Sequence, residues 1–176
     1  HSQGRFDEAL PYYLNYLKIA REENDKESIS IALNNIAVVN DLKGDYERAL
    51  KYYKESFNLS MEVKDSSGAA QALHNIAHLQ QRQGNLPEAI ANYQKSISIL
   101  KRAGVNQDVA STINNLAQIF YQQKELDKSK EYYKESLHIY ESLNDKAGIA
   151  KVLGNLGILL RDQDSVDQAL NYLQQS

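Results

Sequence analysis

L-N-N-I-A at residues 33–37 returns three times along the chain, each time 40 residues later. The later copies read L-H-N-I-A at 73–77, I-N-N-L-A at 113–117 and L-G-N-L-G at 153–157. Every copy has asparagine at its third position, namely Asn35, Asn75, Asn115 and Asn155. A fixed period between about 20 and 50 residues indicates a solenoid, in which each repeat is one structural unit stacked on the next.

A second stretch with the same period completes each repeat. G-D-Y-E-R-A-L-K-Y-Y-K-E-S at 44–56 returns as G-N-L-P-E-A-I-A-N-Y-Q-K-S at 84–96 and K-E-L-D-K-S-K-E-Y-Y-K-E-S at 124–136. Apolar residues in both stretches recur three or four positions apart, as on one face of a helix. We therefore expect two helices per period, at 26–42 and 45–63 in the first complete repeat. The predicted fold class is all-α, an α-solenoid of antiparallel helix pairs with about four and a half repeats.

The period also predicts the domain organisation. We expect a single solenoid over residues 1–176 that is a fragment of a longer array. It would comprise a partial repeat with one helix at 4–24, complete repeats at 25–64, 65–104 and 105–144, and a truncated repeat at 145–176.

Turn and capping residues separate the expected helices. Gly44 lies between the two helices of the first repeat, where a turn often needs a positive φ. Gly4 is at the equivalent position of the partial repeat, and Lys124 is at that position in the third, where we expect strain or a different turn. Pro11 lies inside a helical pattern and predicts a bent or late-starting helix. At the third junction between repeats we expect Asn106 to cap the next helix.

Small residues recur where we expect two helices to approach closely. The first helix of each pair carries Ala37, Ala77, Ala117 and Gly157, and the second carries Ala9, Ala49, Ala89, Ser129 and Ala169. A larger side chain at these positions would push the helix backbones apart.

Composition and charge narrow the possible function classes. Of the 176 residues, 42% are hydrophobic and 24% are charged, which is ordinary for a globular protein. The net charge is −3 and there is no basic stripe, so we expect no nucleic-acid partner. No apolar run approaches the roughly 18 residues that span a bilayer, and no secretory signal opens the chain, so we expect no membrane association. Cysteine is absent, which excludes disulfides and thiolate metal sites and fits a cytoplasmic location.

The alternation of the two stretches resembles tetratricopeptide repeats. The residues that carry the resemblance are Leu33, Ile36, Ala37, Gly44, Tyr46, Ala49 and Tyr53, with their counterparts one period on. The resemblance covers essentially the whole chain. Because the period is 40 residues rather than the common length of about 34, the chain is similar to the long-repeat branch. That branch includes LGN/Pins-type regulators, kinesin light chains and bacterial peptide-sensing regulators.

The resemblance implies that the first helices of the pairs line a concave groove that binds a peptide. By family position the groove residues are Asn34, Asn35, Val38, Gln71, His74, Asn75, His78, Arg82, Asn114, Asn115, Gln118, Lys151, Asn155 and Arg161. This set is rich in amides and poor in acids.

The repeated asparagine has two possible explanations. Inside a helix asparagine costs about half a kcal/mol relative to alanine, so its recurrence needs a reason. Its amide both donates and accepts hydrogen bonds, so a row of asparagines could pair with the backbone of an extended peptide. Alternatively, each asparagine bonds a neighbouring helix and is structural.

The remaining motifs favour a binding protein over an enzyme. We find no phosphate-binding loop, nucleophile elbow or paired acid and base carboxylates, so we expect no catalysis and no cofactor. His74 and His78 have a spacing that could bind zinc, but without an evident third ligand no metal site is expected. We predict a protein–protein interaction module that holds a partner peptide or segment in the groove. The alternatives are a peptide-sensing segment of a larger signalling protein and a structural array that self-associates through uncapped ends.

Overall fold

The computed structural model describes residues 2–162, with side chains from residue 9 onward, and this part contains eight α-helices and no strand. The helices are α1 (Ser2–Glu22), α2 (Lys26–Leu42), α3 (Tyr46–Glu62), α4 (Ser66–Arg82), α5 (Leu86–Ala103), α6 (Asn106–Gln122), α7 (Leu126–Ser142) and α8 (Lys146–Asp162). The all-α prediction is confirmed, and α2 and α3 agree with the predicted ranges to within one residue. None of these described helices is both long enough and apolar enough to cross a bilayer.

The helices form two compact units, the first ending at Ile99 and the second beginning at Leu100. In the first unit α1 packs on α2, α2 on α3 and α3 on α4, and α2 also touches α4. In the second unit α6 packs on α7 and α7 on α8, and α6 also touches α8. Connections of two or three residues make consecutive helices antiparallel. This is the packing of an α-solenoid. We call α2, α4, α6 and α8 the A helices, and α3, α5 and α7 the B helices.

A residue in the left-handed conformation lies in each of the seven described turns. These residues are 20 positions apart and have φ between 53° and 83°: Asn24, Gly44, Lys64, Gly84, Gly104, Lys124 and Asn144. After each one, the next backbone N–H donates to a carbonyl five residues back, as from Asp45 to Asn40 at 2.9 Å. Such bonds define a Schellman motif. Lys124 has φ 64°, so the strain predicted there is confirmed, and its turn is the same as that of its glycine counterparts.

Aspartate side chains cap three of the A helices. Their carboxylates accept hydrogen bonds of 3.0 to 3.1 Å from first-turn N–H groups: Asp25, Asp65 and Asp145. The cap predicted at Asn106 is wrong, because α6 begins at that residue and its N-cap is Val105, which makes no side-chain cap bond. Gly104 takes the left-handed position of this junction, so the 20-residue register leaves residue 105 as the cap.

The first helix corrects two predictions. α1 runs without interruption from Ser2 through Gly4 and Pro11 to Glu22, so neither the turn at Gly4 nor the late start is correct. Pro11 is exposed, and a proline at the surface removes a backbone bond where water can replace the lost donor. Further along α1, the buried Leu17 packs with the core of α2 and holds the helix in place.

The predicted small residues lie at the helix contacts. In both helices of each pair, every predicted small residue between positions 37 and 157 is buried: Ala37, Ala49, Ala77, Ala89, Ala117, Ser129 and Gly157. Ala9 is half-buried, and Ala169 lies outside the described residues. In the first unit Ala37 and Ala49 form a core with Tyr53, Ile76 and Leu79.

A serine hydroxyl joins each described B helix to the A helix of the same repeat. The donor lies 26 residues after the carbonyl it bonds: Ser56 to Ser30 (2.8 Å), Ser96 to Ala70 (2.9 Å) and Ser136 to Ala110 (2.7 Å). These serines recur with the 40-residue period and end the second repeated stretch, but the repeat pattern alone does not indicate their hydrogen bonds.

We expect Ala37→Leu to lower the free energy of unfolding by about 1–3 kcal/mol, because the added atoms have no space between α2 and α3. Ala91 is exposed on α5, so the same change there is the matched control and should alter stability by less than about 0.5 kcal/mol. Urea denaturation measures both variants. Equal stability of the two would contradict the close approach of the helices.

Candidate functional site

The predicted groove residues of the first unit lie on α2 and α4. Asn34, Asn35, Val38, His74 and Asn75 are half-buried, and Gln71, His78 and Arg82 are exposed. We call these residues the A-face of the first unit, and their counterparts on α6 and α8 the A-face of the second unit.

An amide–amide hydrogen bond joins the A helices of the first unit. Asn75 Nδ2 donates to Asn34 Oδ1 at 3.0 Å, and Gln71 Nε2 donates to Asn75 Oδ1 at 3.1 Å. The Asn75 amide therefore acts as both donor and acceptor, as predicted, but its partners lie within the protein. Of the two explanations for the repeated asparagine, this geometry supports the structural one.

An ion pair joins the same two helices two turns further along. Arg82 Nη1 lies 2.6 Å from Asp41 Oδ1, and the Asp41 side chain is only 9% exposed. Arg82 also donates to the Tyr46 hydroxyl at 3.1 Å and lies 5.3 Å from the centre of that ring. A buried carboxylate needs such a partner, so Arg82 is committed to holding α4 against α2 and α3.

The second unit has the same amide–amide bond, and a tyrosine–aspartate bond replaces the ion pair. Asn155 Nδ2 donates to Asn114 Oδ1 at 2.9 Å, and the Tyr121 hydroxyl donates to the Asp162 carboxylate. Asn114 has no exposed surface, so it supports Asn155 and cannot touch a partner directly. Arg161 also donates to Asp162, at 3.1 Å. The remaining predicted residues are Asn115 and Gln118, which are half-buried, and Lys151, which is exposed.

All four of these connections join residues 41 positions apart. The pairs are Asn34–Asn75, Asp41–Arg82, Asn114–Asn155 and Tyr121–Asp162. We call them the ladder. The separation is one residue more than the period, so a residue on one A helix bonds the next position on the following A helix. The adjacent asparagines at 34–35 and 114–115 are the sequence signal for this offset, which was not predicted.

The tyrosine–aspartate connection affects the acidity of both groups. The hydrogen bond from Tyr121 and then that from Arg161 hold the pKa of Asp162 below its ordinary value. Accepting the same hydrogen bond, Asp162 raises the pKa of Tyr121. The pair is therefore favoured with the carboxylate ionised and the phenol neutral.

The two histidines of the first unit have different surroundings. His74 packs edge-on against Tyr93, with ring centroids 5.3 Å apart and planes at 75°. His78 is exposed one turn later. Among the side chains described, from residue 9 to residue 162, no group of three or more histidine, cysteine or acidic residues is arranged to hold a metal ion.

A pocket of about 320 Å³ opens on the A-face of the second unit. It is lined by residues of α6, α7 and α8: Gln118, Tyr121, Gln122, Tyr133, Asn155 and Ile158. Burial raises the pKa of Tyr133, so this ring is neutral and belongs to the apolar part of the lining. The predicted groove residues Gln118 and Asn155 meet here, whereas Tyr133 comes from a B helix and was not predicted.

Comparison with known proteins identifies related families and folds. A family model described as "Tetratricopeptide repeat" matches residues 1–62, 28–102, 68–142 and 108–176, which together span the chain. No curated protein matches the chain significantly.

Three solved structures illustrate the fold similarity. BtubC (BKLC) from P. vanneervenii has a TM-score of 0.85 and 24% identity, over 97% of this chain and 71% of that one. A Rap protein complexed with competence and sporulation factor has a TM-score of 0.81 and 14% identity, over 97% and 48%. A putative kinesin light chain from Podosopora anserina with nearly identical TPR-like repeats has a TM-score of 0.74 and 14% identity, over 99% and 86%. At these identities the similarity concerns the fold alone.

We expect Asn155→Ala to lower the free energy of unfolding by about 1–3 kcal/mol, because it leaves the buried Asn114 amide without this partner. Lys151 is exposed one turn earlier on α8, and Lys151→Ala should change stability by less than about 0.5 kcal/mol. Denaturant titration of both variants tests the structural role of the ladder. If the two variants were equally stable, Asn155 would have no structural role and would again be a candidate for direct contact with a partner.

We expect the stability difference between the parent and Asp162→Asn to depend on pH. A carboxylate with a lowered pKa stabilises the folded state above its unfolded pKa of about 3.9, and this contribution is lost as pH falls through the folded value. The difference should therefore be full at neutral pH and shrink below about pH 4. Thermal melts across pH 2–7 measure it. Repeating the comparison in a Tyr121→Phe background should give a smaller pH dependence, and an unchanged one would assign it to other groups.

Proposed function

The chain belongs to the tetratricopeptide repeat family, whose repeats are protein–protein interaction modules, and from this premise we propose that it holds an extended segment of a partner protein on the A-face. One observation carries the proposal. Beside the ladder, the A-face presents four chemically different side chains at one repeated position: Val38, His78, Gln118 and Ile158. The first and third are half-buried and the other two are exposed, so all of them have surface available to a partner. Partner selectivity would lie in this series.

Charge on the A-face suits a neutral or acidic segment. α4 contains no acidic residue, and the only acidic residue of α6 is Asp108 in its first turn. Asp41 and Asp162 already bond arginines of the protein, whereas Lys151 is exposed. A neutral or acidic partner segment would therefore meet little repulsion, although the whole chain has a net charge of −3.

The asparagines have a supporting role in this proposal. The ladder fixes the A helices of each unit relative to one another, so the side chains between its bonds are presented at fixed spacing. A preordered surface loses less conformational entropy when it binds a flexible segment. His78, Gln118 and Lys151 would contact the partner, and Asn114 would act only through Asn155.

Finer assignments follow from the repeat length and composition. The A helices begin at 40-residue intervals, at Lys26, Ser66, Asn106 and Lys146, which supports placing the chain in the long-repeat branch that includes LGN/Pins-type domains. We propose a non-catalytic role without nucleic-acid or membrane partners. The absence of cysteine supports a cytoplasmic location.

A sensory role is the second candidate. It is favoured by the fold similarity to the Rap protein that was solved with competence and sporulation factor. In that case a small ligand on the A-face would bind one arrangement of a larger protein more tightly than another and shift their populations. Self-association through the ends of the array, the third candidate, would make the molar mass in solution depend on concentration.

Comparative capture tests the leading proposal. Three immobilised proteins are used: the parent, an A-face variant with His78→Glu and Lys151→Glu, and an outer variant with His138→Glu and Lys134→Glu. All four replaced residues are exposed, and the two variants change charge by the same amount. We expect a partner that binds the parent and the outer variant but is lost from the A-face variant, because a neutral or acidic segment would meet new carboxylates there.

The captured partner must then be reduced to a segment. Its overlapping synthetic peptides are tested for competition, and one of them should displace the whole partner from the parent. Partners that are lost equally from both variants, or from neither, would contradict binding on the A-face. Circular dichroism of the two variants establishes that both are folded.

A further inference from the structure

The pocket on α6, α7 and α8 has a lining of two kinds. Tyr133 is 3% exposed, and with the ring of Tyr121 and the side chain of Ile158 it supplies the apolar surface. Gln118, Gln122 and Asn155 supply amides, and no lining residue carries a charge. The Asp162 carboxylate beside this lining accepts hydrogen bonds from both Tyr121 and Arg161. Lys124 Nζ lies over the Tyr121 ring, 5.7 Å from its centre, but Lys124 is not part of the lining. An ionised group inside the pocket would therefore lose its water without gaining an opposite charge from any lining residue.

The pocket volume limits what can enter. At about 320 Å³ it is at the lower end of the range of ~300–1,000 Å³ that holds a complete small ligand. It has room for one side chain and the peptide groups beside it, and too little for a helix. Amide groups next to an apolar surface match the alternation of backbone and side chain along an extended peptide.

The first unit has different chemistry at the equivalent positions. Eighty residues before Tyr121 and Gln122 are Asp41 and Leu42. There the buried carboxylate of Asp41 is paired with Arg82, where the second unit has a neutral phenol bonded to Asp162. The apolar, uncharged lining is therefore a property of the second unit and not a general result of the repeat.

We propose that this pocket selects one uncharged apolar side chain, of the leucine or phenylalanine type, from the partner segment. Gln118 bonds a peptide group that flanks it, and Ile158 and Tyr133 cover the side chain. The inference rests on the proposed function and adds the chemistry of one recognised residue.

The test uses the absence of cysteine from the sequence. A single cysteine is introduced at the pocket edge by Gln122→Cys, and the matched control is Leu42→Cys, which replaces an exposed residue two periods earlier. Each protein is equilibrated with 2-mercaptoethanol and disulfides of 3-mercaptopropionyl amino-acid methylamides. The amino acid is leucine, phenylalanine, alanine, aspartate or lysine. Mass spectrometry measures the fraction of protein labelled by each probe.

We expect the leucine or phenylalanine probe to label Gln122→Cys roughly tenfold more than the alanine probe, as burial of an apolar side chain implies. Aspartate and lysine probes should label it no better than alanine, and Leu42→Cys should show no such order. Adding Ile158→Lys to the pocket variant should abolish the preference. Ile31→Lys should preserve it, because Ile31 is 44% exposed and Ile158 is 42% exposed, but only the latter lines the pocket.

Uniform labelling of Gln122→Cys, or a preference for a charged probe, would overturn the inference. Should this variant fail to fold, Gln118→Cys presents its thiol to the same pocket and is tested in the same way. The labelling result is independent of comparative capture. A partner lost only from the A-face variant, together with unselective labelling, would reject the pocket and leave the proposed function standing. Selective labelling without any partner lost from the A-face variant would reject the proposed function and leave the chemical preference of the pocket standing.

Discussion

A left-handed residue at every twentieth position is the constraint on which the rest of the molecule depends. It ends one helix and sets the start of the next, so most of the described helices have 17 residues. At about 1.5 Å per residue such helices are all about 26 Å long, and their ends coincide when they stack. Where the turn residue is not glycine, as at Lys64 and Lys124, the chain accepts roughly 1–2 kcal/mol of backbone strain to keep this spacing. The same holds at Val105. The 20-residue spacing of the turns places this residue at the N-cap of α6, although its side chain cannot make a cap hydrogen bond.

Polar contacts then select one way of stacking the helices. A hydrogen bond contributes only about 1 kcal/mol to stability, but a buried polar group that is left unpaired costs about 1–3 kcal/mol. Among the described residues no buried side-chain nitrogen or oxygen lacks a partner. A slip of one residue between α6 and α8 would separate Asn114 from Asn155 and Tyr121 from Asp162 together. The apolar core alone would resist such a slip less, because many apolar side chains can replace one another in contact. The ladder and the B-helix serines therefore specify the register more than they add to total stability.

The fold could be predicted from the sequence to a far greater extent than the roles of the site residues. Periodicity predicts the helices, and small residues such as Ala37 predict their contacts, because both follow from the geometry of a single repeat. The late start predicted at Pro11 and the cap predicted at Asn106 were wrong. At Pro11 the packing of α1 on α2 outweighs the low helix propensity of proline, and at Asn106 the spacing of the turns decides which residue caps the helix. The side-chain partner of Asn75 depends on the offset between successive A helices, which does not appear in the pattern of one repeat. For the same reason the sequence did not indicate that Tyr133 lines a pocket.

Turns, caps and ladder bonds all follow the same 40-residue period, and this limits which changes in chain length the fold can accept. The bonds of the B-helix serines and of the ladder join residues at fixed separations, 26 within a repeat and 41 between repeats. An insertion or deletion of one whole 40-residue period preserves all of these separations on either side of the junction, whereas any other length breaks them. The array can thus lengthen or shorten by duplication or loss of a repeat without a new joint having to be built. Each such event would add or remove one position of the series that contains Val38 and Ile158, and with it one of the positions at which we propose that a partner segment is distinguished.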